Sequence, residues 1–452
     1  MKTTLTILTL FALTTLSKAQ NTAQVLYEQG ARWNSKVWHS PYAENISDQE
    51  KLAGLALVWS EAKYNFAFFD KVPNLDWDSL YVSYLPKVVA TRSTQEYYNS
   101  LQSMMALLND GHTGVFFSEE LRELYTRPSI FTKLVQDKVI ITEVIDPKLT
   151  KLGLVPGTEI IQVNGEDVKA YVAREVRPYV SSSTEHYRIF AQYNYQFLIG
   201  KKGTTVELTY LDPTGKKLTN TIKYDWSPIE YFQNKKLLEF KMLPNQVAYV
   251  ALNGFHDEKI KADFDSIYPQ LSKAKSVILD IRNNGGGDSG NGWYIMERLT
   301  NKNFPLVKWE SRNYQATKRA WGGTQSWYGD QYDYKITNTD TSDYFHGPVV
   351  VLTSPYTFSA AEDFLGAFVQ AKRGLIVGEP SGGSTGQPLF FRLPGGGSAR
   401  VCTKRDYLMD GTEWVGKGFM PDIYVAPTIQ DIKAGKDTVL NKALEVLRKK
   451  TM

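Results

Sequence analysis

The sequence predicts an α/β protein: a mixed, largely parallel sheet with helices on its faces, an inserted mostly-β module, and an N-terminal helical segment. Three observations carry this. From Gln246 onward, apolar runs alternate with segments of helical period: Val247 to Leu252, Asp263 to Leu271, Val277 to Ile281, Gly292 to Leu299, Val349 to Thr353 and Ala360 to Gln370. Parallel strands need such crossovers. Between about 128 and 226 the period falls to two, with hairpin turns at Asn164-Gly165 and Asp212-Pro213-Thr214-Gly215. Ahead of that, Leu52, Leu55, Ala56, Trp59 and Ala62 recur at helical spacing, and the helical pattern runs on until Asn109-Asp110-Gly111 breaks it.

Taken in order, the chain opens with Lys2, an apolar stretch from Leu5 to Leu16, and Ser17-Lys18-Ala19. These match a secretion leader, with cleavage expected before Gln20. Helices follow over Asp48 onward, Asp76 to Val89 and Thr94 to Leu108, then a short strand over His112 to Phe117. Lys138 to Val144 alternates as a strand, and Leu152 to Gly165 reads as turn, strand and turn. Val168 to Phe197 is Tyr-rich and helical. Asn313 to Asp343, rich in Trp, Tyr and Gly, reads as a long loop excursion. Asp437 caps a last helix with Val439, Leu440, Ala443, Leu444 and Leu447 on one face. The predicted division is a leader over 1–19, a helical domain over 20–127, the mostly-β module over 128–226 and the α/β core over 227–452.

Composition narrows the function. The 452 residues are 42% hydrophobic and 22% charged, as in soluble globular proteins, and allow two to four domains. Beyond the leader no apolar run reaches membrane-spanning length. A net charge of +4 is no footprint for nucleic acid. Cys402 is the only cysteine, so neither an internal disulfide nor a cysteine metal cluster can form. His39, His112, His186, His256 and His346 lack metal-ligand spacing, so no metal and no cofactor is expected.

The chemistry concentrates at Thr357-Phe358-Ser359-Ala360-Ala361-Glu362, which follows the apolar run Val349 to Thr353 and opens a helix. A serine there sits where unpaired backbone N–H groups stabilise negative charge. Asn283-Asn284-Gly285-Gly286-Gly287, after the run Val277 to Ile281, supplies a second anion-binding turn. Together they can make a nucleophile and an oxyanion hole, from the N–H groups of Ala360 and of Gly285 or Gly286. Ser359 with Glu362 also spells an ordinary capping box. Gly285, Gly287 and Gly290 fit a dinucleotide fingerprint, but they lie mid-chain and the nucleophile reading explains them better.

These motifs, in this order, resemble the C-terminal processing, or tail-specific, serine peptidases. Ile278 to Gly287 resembles the family's strand and oxyanion loop, Val350 to Glu362 its nucleophile turn. Val377-Gly378-Glu379-Pro380 and Gly418-Phe419-Met420-Pro421-Asp422-Ile423 match two further signatures, and residues 138–225 resemble the inserted PDZ domain. The resemblance implies a crotonase-like, ClpP-like spiral core. It implies an exported, periplasmic or extracellular peptidase acting on polypeptides through an acyl-enzyme. Oligomeric state stays open. Many members use a Ser–Lys dyad, yet Ser384 stands where the lysine belongs. The tricorn-like branch uses Ser–His instead, and His112 occupies the matching place. Ser359 is then the nucleophile and His112 the base. Gly111 stands where that branch has a serine supporting the histidine, leaving Glu413 or Asp110 to orient the ring. A PDZ-like module would bind substrate through the loop at Ser129, Ile130, Phe131 and Thr132, ahead of a strand toward Leu134. That stretch lacks a glycine-rich run, and Pro128 has no N–H, so a free C-terminus is not demanded. The alternative is a catalytically inactive PDZ-containing peptide-binding protein.

Overall fold

The structure is a computed structural model that describes residues 36–228, 231, 234–301, 303–329, 335–336 and 343–451. The expected leader, and part of the excursion over 313–343, lie outside the described residues. Helix α1 (Asp48–Asn65) starts at Ser47, whose hydroxyl accepts from the Glu50 amide while the Glu50 carboxylate accepts from the Ser47 amide. Helices α2 (Trp77–Val89) and α3 (Thr94–Ala106) pack on α1, and a short strand β1 (Gly114–Phe116) follows.

Strands β2 (Ile130–Val135), β3 (Lys138–Val144) and β4 (Glu159–Val163) lead into helices α4 (Val168–Glu175) and α5 (Glu185–Tyr193). Strands β5 (Thr205–Leu211) and β6 (Lys217–Lys223) complete the module. All pairs are antiparallel, in the order β2-β3-β4-β5-β6, so β2 is an edge.

The core comprises β7 (Leu238–Leu243), β8 (Val247–Leu252), α6 (Lys259–Leu271), β9 (Ser276–Asp280), α7 (Ser289–Glu297), β10 (Val349–Thr353), α8 (Ala360–Gln370), β11 (Gly374–Gly378), a hairpin of β12 (Pro388–Arg392) and β13 (Ser398–Cys402), β14 (Ile423–Tyr424) and α9 (Thr438–Thr451). The sheet order is β7-β8-β9-β10-β11-β14, parallel throughout except for β7. Successive residues of β9 and β10 serve opposite faces. Val277, Leu279, Val349 and Val351 pack under α6, α7 and α8, while Ile278, Val350 and Leu352 pack against Val439, Ala443 and Leu447 of α9. Burial on both faces explains the unbroken apolar runs, each such side chain contributing about 1.5–3 kcal/mol.

The N-terminal helices do not close a core of their own. Leu55, Val58, Tyr97 and Leu101 share one apolar cluster with Leu393, Ala399, Val401 and Cys402, because β1 pairs with β13. This pairing across almost the whole chain brings the loop 109–113 to the carboxyl ends of β9 and β10, where ligands of parallel sheets bind.

Candidate active site

The turn after β10 is fastened to the loop after β9. Thr357 Oγ1 donates to the Ile281 carbonyl (2.9 Å), Ser354 Oγ to the Arg282 carbonyl (2.6 Å), and the Phe358 amide to the Asn284 carbonyl (3.1 Å). These bonds hold Ser359 at φ 56° and ψ −127°, a conformation that costs about 1–3 kcal/mol for a side-chain-bearing residue. A sharp strand-to-helix turn of this kind exposes a serine hydroxyl above a sheet.

The capping-box reading of Ser359 and Glu362 is corrected. Ser359 makes no side-chain cap. The Glu362 carboxylate, fully buried, instead accepts from Ser381 Oγ (2.6 Å) and from the amides of Gly383 (2.8 Å) and Ser384 (2.9 Å). Burial pushes its carboxyl up to about 8 against these three donors. The Ser359 amide donates to the Ser384 carbonyl (3.1 Å), so the turn and the 381–384 loop are one unit.

His112 enters from the turn between α3 and β1. Asp110 fixes that turn, accepting from the His112 amide (3.1 Å), Thr113 Oγ1 (2.7 Å) and Ser183 Oγ (3.1 Å). The imidazole stacks on Phe358 with centroids 4.7 Å apart. Its Nε2 lies 2.9 Å from Ser359 Oγ and its Nδ1 2.8 Å from Ser384 Oγ. Ser384 Oγ lies a long 3.5 Å from Asp110 Oδ1. Burial, then the charges of Arg400 and Lys404, hold the imidazole well below its usual pKa. Burial raises the Asp110 carboxyl, opposed by its hydrogen bonds.

Ser384 is the residue that sequence reasoning missed. Its place in the lysine position was visible, but a hydroxyl there looked inert because it is no base. Space explains its arrival. A Cβ on Gly111 would stand 2.7 Å from the Phe358 ring and 3.0 Å from Ser384 Oγ, so the hydroxyl that position 111 cannot hold is supplied from position 384.

Glu413 is not brought to the histidine. Its carboxylate pairs with Lys71 (2.7 Å) and Arg405 (3.1 Å), and both imidazole nitrogens already have partners. The oxyanion candidates also sort themselves. The Gly286 amide donates to Asn284 Oδ1 (2.9 Å), which corrects its use as a free donor. No acceptor among the described residues takes the amides of Gly285 and Ala360. Gly286 serves by its size: a Cβ there would meet Ser359 Cβ at 2.6 Å, and its φ is +99°.

The four expected substrate contacts fare worse, and the loop expected there is corrected: Ile130 to Thr132 already belong to strand β2. Ser129, Ile130, Phe131 and Thr132 are all buried, and only Phe131 reaches the cleft. Thr132 bonds through Oγ1 to the Tyr193 carbonyl, and its own carbonyl accepts from Asn194 Nδ2 (3.0 Å), so the end of α5 closes the β2 edge there. Lys133 pairs with Glu379 of the core. The cleft is about 1400 Å³, and Phe190, Tyr195, Tyr356 and Arg400 line it together with His112 and Ser359. Among the described residues no group of three or more His, Cys, Asp or Glu could hold a metal ion. No helix among them is long and apolar enough to cross a membrane.

Residues 246–425 match the model of peptidase family S41. The carboxy-terminal processing protease CtpB of Bacillus subtilis is 26% identical over 339 residues, covering 72% of this chain and 62% of that protein. The chain thus spans less than two thirds of the length of that relative. The chloroplastic C-terminal processing peptidase of Tetradesmus obliquus is 24% identical, covering 80% of this chain and 75% of the relative. Among solved structures, mature CPAF complexed with lactacystin superposes with a TM-score of 0.68 at 14% identity, over 86% of this chain and 95% of that one. The photosystem II D1 C-terminal processing protease does so with a TM-score of 0.50 at 21% identity, over 84% and 94%. At such identities the structural likeness carries the fold alone. Over residues 246–425 the chain is thus similar to peptidase family S41, and the sequence relatives support a serine-type peptidase.

Proposed function

We propose that this chain is an exported serine peptidase that cleaves polypeptides through an acyl-enzyme, with Ser359 as nucleophile, His112 as general base and Ser384 orienting the base. One observation carries the reading: a single imidazole bridges two serine hydroxyls, 2.9 Å to Ser359 on one side and 2.8 Å to Ser384 on the other. With His112 neutral, Ser359 O–H donates to Nε2 while Nδ1–H donates to Ser384 Oγ, whose own hydrogen points to Asp110 Oδ1. That chain fixes the tautomer, as a third group must in any such constellation.

Ser359 Oγ attacks the peptide carbonyl carbon, and its proton passes to Nε2. The oxyanion forms between the amides of Ala360 and Gly285, fixed dipoles in a partly dry site. The C–N bond then breaks, Nε2 returns the proton to the leaving amine, and an ester to Ser359 remains. Water, deprotonated by His112, releases the acid and regenerates the hydroxyl. No metal or cofactor enters.

Residues 128–226 act in this reading as a PDZ-like module that presents long chains to the cleft. Its antiparallel sheet covered by helices supports that role, as does the passage of Ser183, Thr184 and His186 onto the loops at residues 109–113 and 381–384. There Ser183 bonds Asp110, Thr184 the Gly382 carbonyl (2.8 Å) and His186 the Ser381 carbonyl (2.6 Å). The test is covalent labelling by a fluorophosphonate probe alongside hydrolysis of an unstructured polypeptide. Labelling and cleavage by the wild type, both lost in Ser359→Ala, are expected. A folded wild type that does neither would turn the reading to a non-catalytic peptide-binding protein.

A further inference from the structure

Arg400 stands on β13, opposite Gly114 of β1 and Phe390 of β12, and faces the same cleft as His112 and Ser359. Its guanidinium lies between the rings of Phe116 (5.2 Å) and Phe390 (5.9 Å). Nη2 donates to the Gly111 carbonyl (3.0 Å). Nε is buried and has no partner, and no acceptor among the described residues takes Nη1. Among the described residues no carboxylate forms an ion pair with it either. Asp110, whose charge it feels, is committed to the His112 amide, Thr113 and Ser183. Tyr187 and Tyr195, its other polar neighbours, bond each other (2.7 Å).

An unpaired guanidinium in a largely closed position is costly. This one carries a second cost, because its charge opposes the imidazolium that His112 must become during catalysis. Both costs are relieved by one event, the arrival of an anion. Arginine's planar fork, held flat here by two aromatic faces, suits a carboxylate above other anionic groups of a polypeptide. His112 gives its proton to the leaving amine, so the side of the cleft behind it is the leaving-group side. Arg400 is tied to the residue just before His112.

Resting on the peptidase reading, we propose that Arg400 is a specificity residue that receives a substrate carboxylate immediately past the scissile bond, and that the enzyme prefers an acidic leaving segment. The carboxylate then does two things: it pairs the fork, and it offsets the positive charge beside the imidazole when Nε2 takes up its proton. The preference therefore appears in kcat as well as in KM, unlike that of a binding contact felt equally in ground and transition states.

The experiment uses a matched pair of peptides with Glu or Gln at the first leaving-side position, and a second pair whose leaving residue ends in a free acid or an amide. Wild-type kcat/KM is expected to favour Glu over Gln by about tenfold or more, about 1.4 kcal/mol. Arg400→Met brings the ratio to near one, and Arg400→Lys keeps part of it. A preference for the terminal acid alone also supports the site and assigns its carboxylate to a chain end. A wild-type ratio near one for both pairs overturns the proposal. So does a ratio that Arg400→Met leaves intact while both rates fall together, since that is what loss of the Gly111 contact alone would do. The same peptides are bound to Ser359→Ala protein and followed by fluorescence anisotropy. No turnover by the folded wild type, with the binding preference of Ser359→Ala intact, sinks the peptidase reading and spares Arg400. Turnover without preference does the reverse.

Discussion

The turn that carries Ser359 and the strand edge at Thr132 are built in opposite states. At the turn the reactive groups are open and the strain is carried behind them. Ser359 holds a positive φ, the amides of Ala360 and Gly285 have no acceptor among the described residues, and the stabilising bonds run from Thr357, Ser354 and Glu362 into the protein. At β2 the groups that would pair with a peptide are already occupied. Asn194 takes the Thr132 carbonyl, Tyr193 the hydroxyl, and Glu379 the Lys133 ammonium. A catalytic turn must be pre-organised, because donors that reorient during the reaction lose their advantage. A recognition edge tolerates occupation, because an arriving strand exchanges one set of hydrogen bonds for another at small net cost. The first region is fixed and the second exchangeable.

The hardest way to break that comparison is at the fixed end. Ser359→Ala and His112→Ala are each expected to lower kcat by about 10⁴- to 10⁶-fold, the range for members of a catalytic unit. Near-normal turnover by His112→Ala would remove the base assignment. Ser384→Ala is expected to cost about 10²-fold in kcat with KM little changed, since it frees the imidazole to turn rather than removing it. A loss under threefold would return Ser384 to an inert role.

The fixed end also sets the pH behaviour. In the proposed mechanism His112 works neutral, and burial holds its pKa well below the usual 6.5, so the acid limb of kcat/KM should lie below that value and most of the plateau rate should survive at about pH 6. An acid limb centred near 7 or above would point to another base. Glu362 acts on stability with the opposite sense. Its folded pKa of about 8 exceeds the ordinary 4.5, so between these values the folded state keeps a proton that the unfolded state has released. Stability from this group therefore falls as pH rises from about 4.5 through 8. Melting temperatures of wild type and Glu362→Gln across that range should diverge in slope, the variant being flatter. Parallel curves would mean that Glu362 is ionised throughout.

The smallest effect belongs to the exchangeable end. Asn194→Ala frees the Thr132 carbonyl and should tighten binding of an extended peptide to Ser359→Ala protein by about two- to fivefold, the worth of one side-chain hydrogen bond. Weaker binding would show that Asn194 itself contacts the peptide.

Much of this was legible in the residues. Apolar runs with helical segments between them specify a parallel sheet, because only strands buried on both faces read that way. Val349 to Thr353 and Ser276 to Asp280 show it at the sheet's centre. The turn at Ser359 and the glycines after β9 could be placed at strand ends for the same reason. The pairing of His112 with Ser359 needed a resemblance as well, since 247 residues separate them and no local pattern links them.

Tertiary structure alone decided the rest. Glu413 and Asp110 were the candidates to orient the imidazole, yet the hydroxyl at Nδ1 is that of Ser384; which residue arrives depends on where β13 docks against β1, not on any residue's neighbours in sequence. Gly286 and Gly285 are chemically alike, and only the Asn284 side chain distinguishes their amides. The closure of β2 is set by the packing of α5. Each is a contact made when separate elements meet. Periodicity and turn chemistry specify the elements, whereas the partner of a buried hydrogen bond is chosen by geometry that exists only after they have packed.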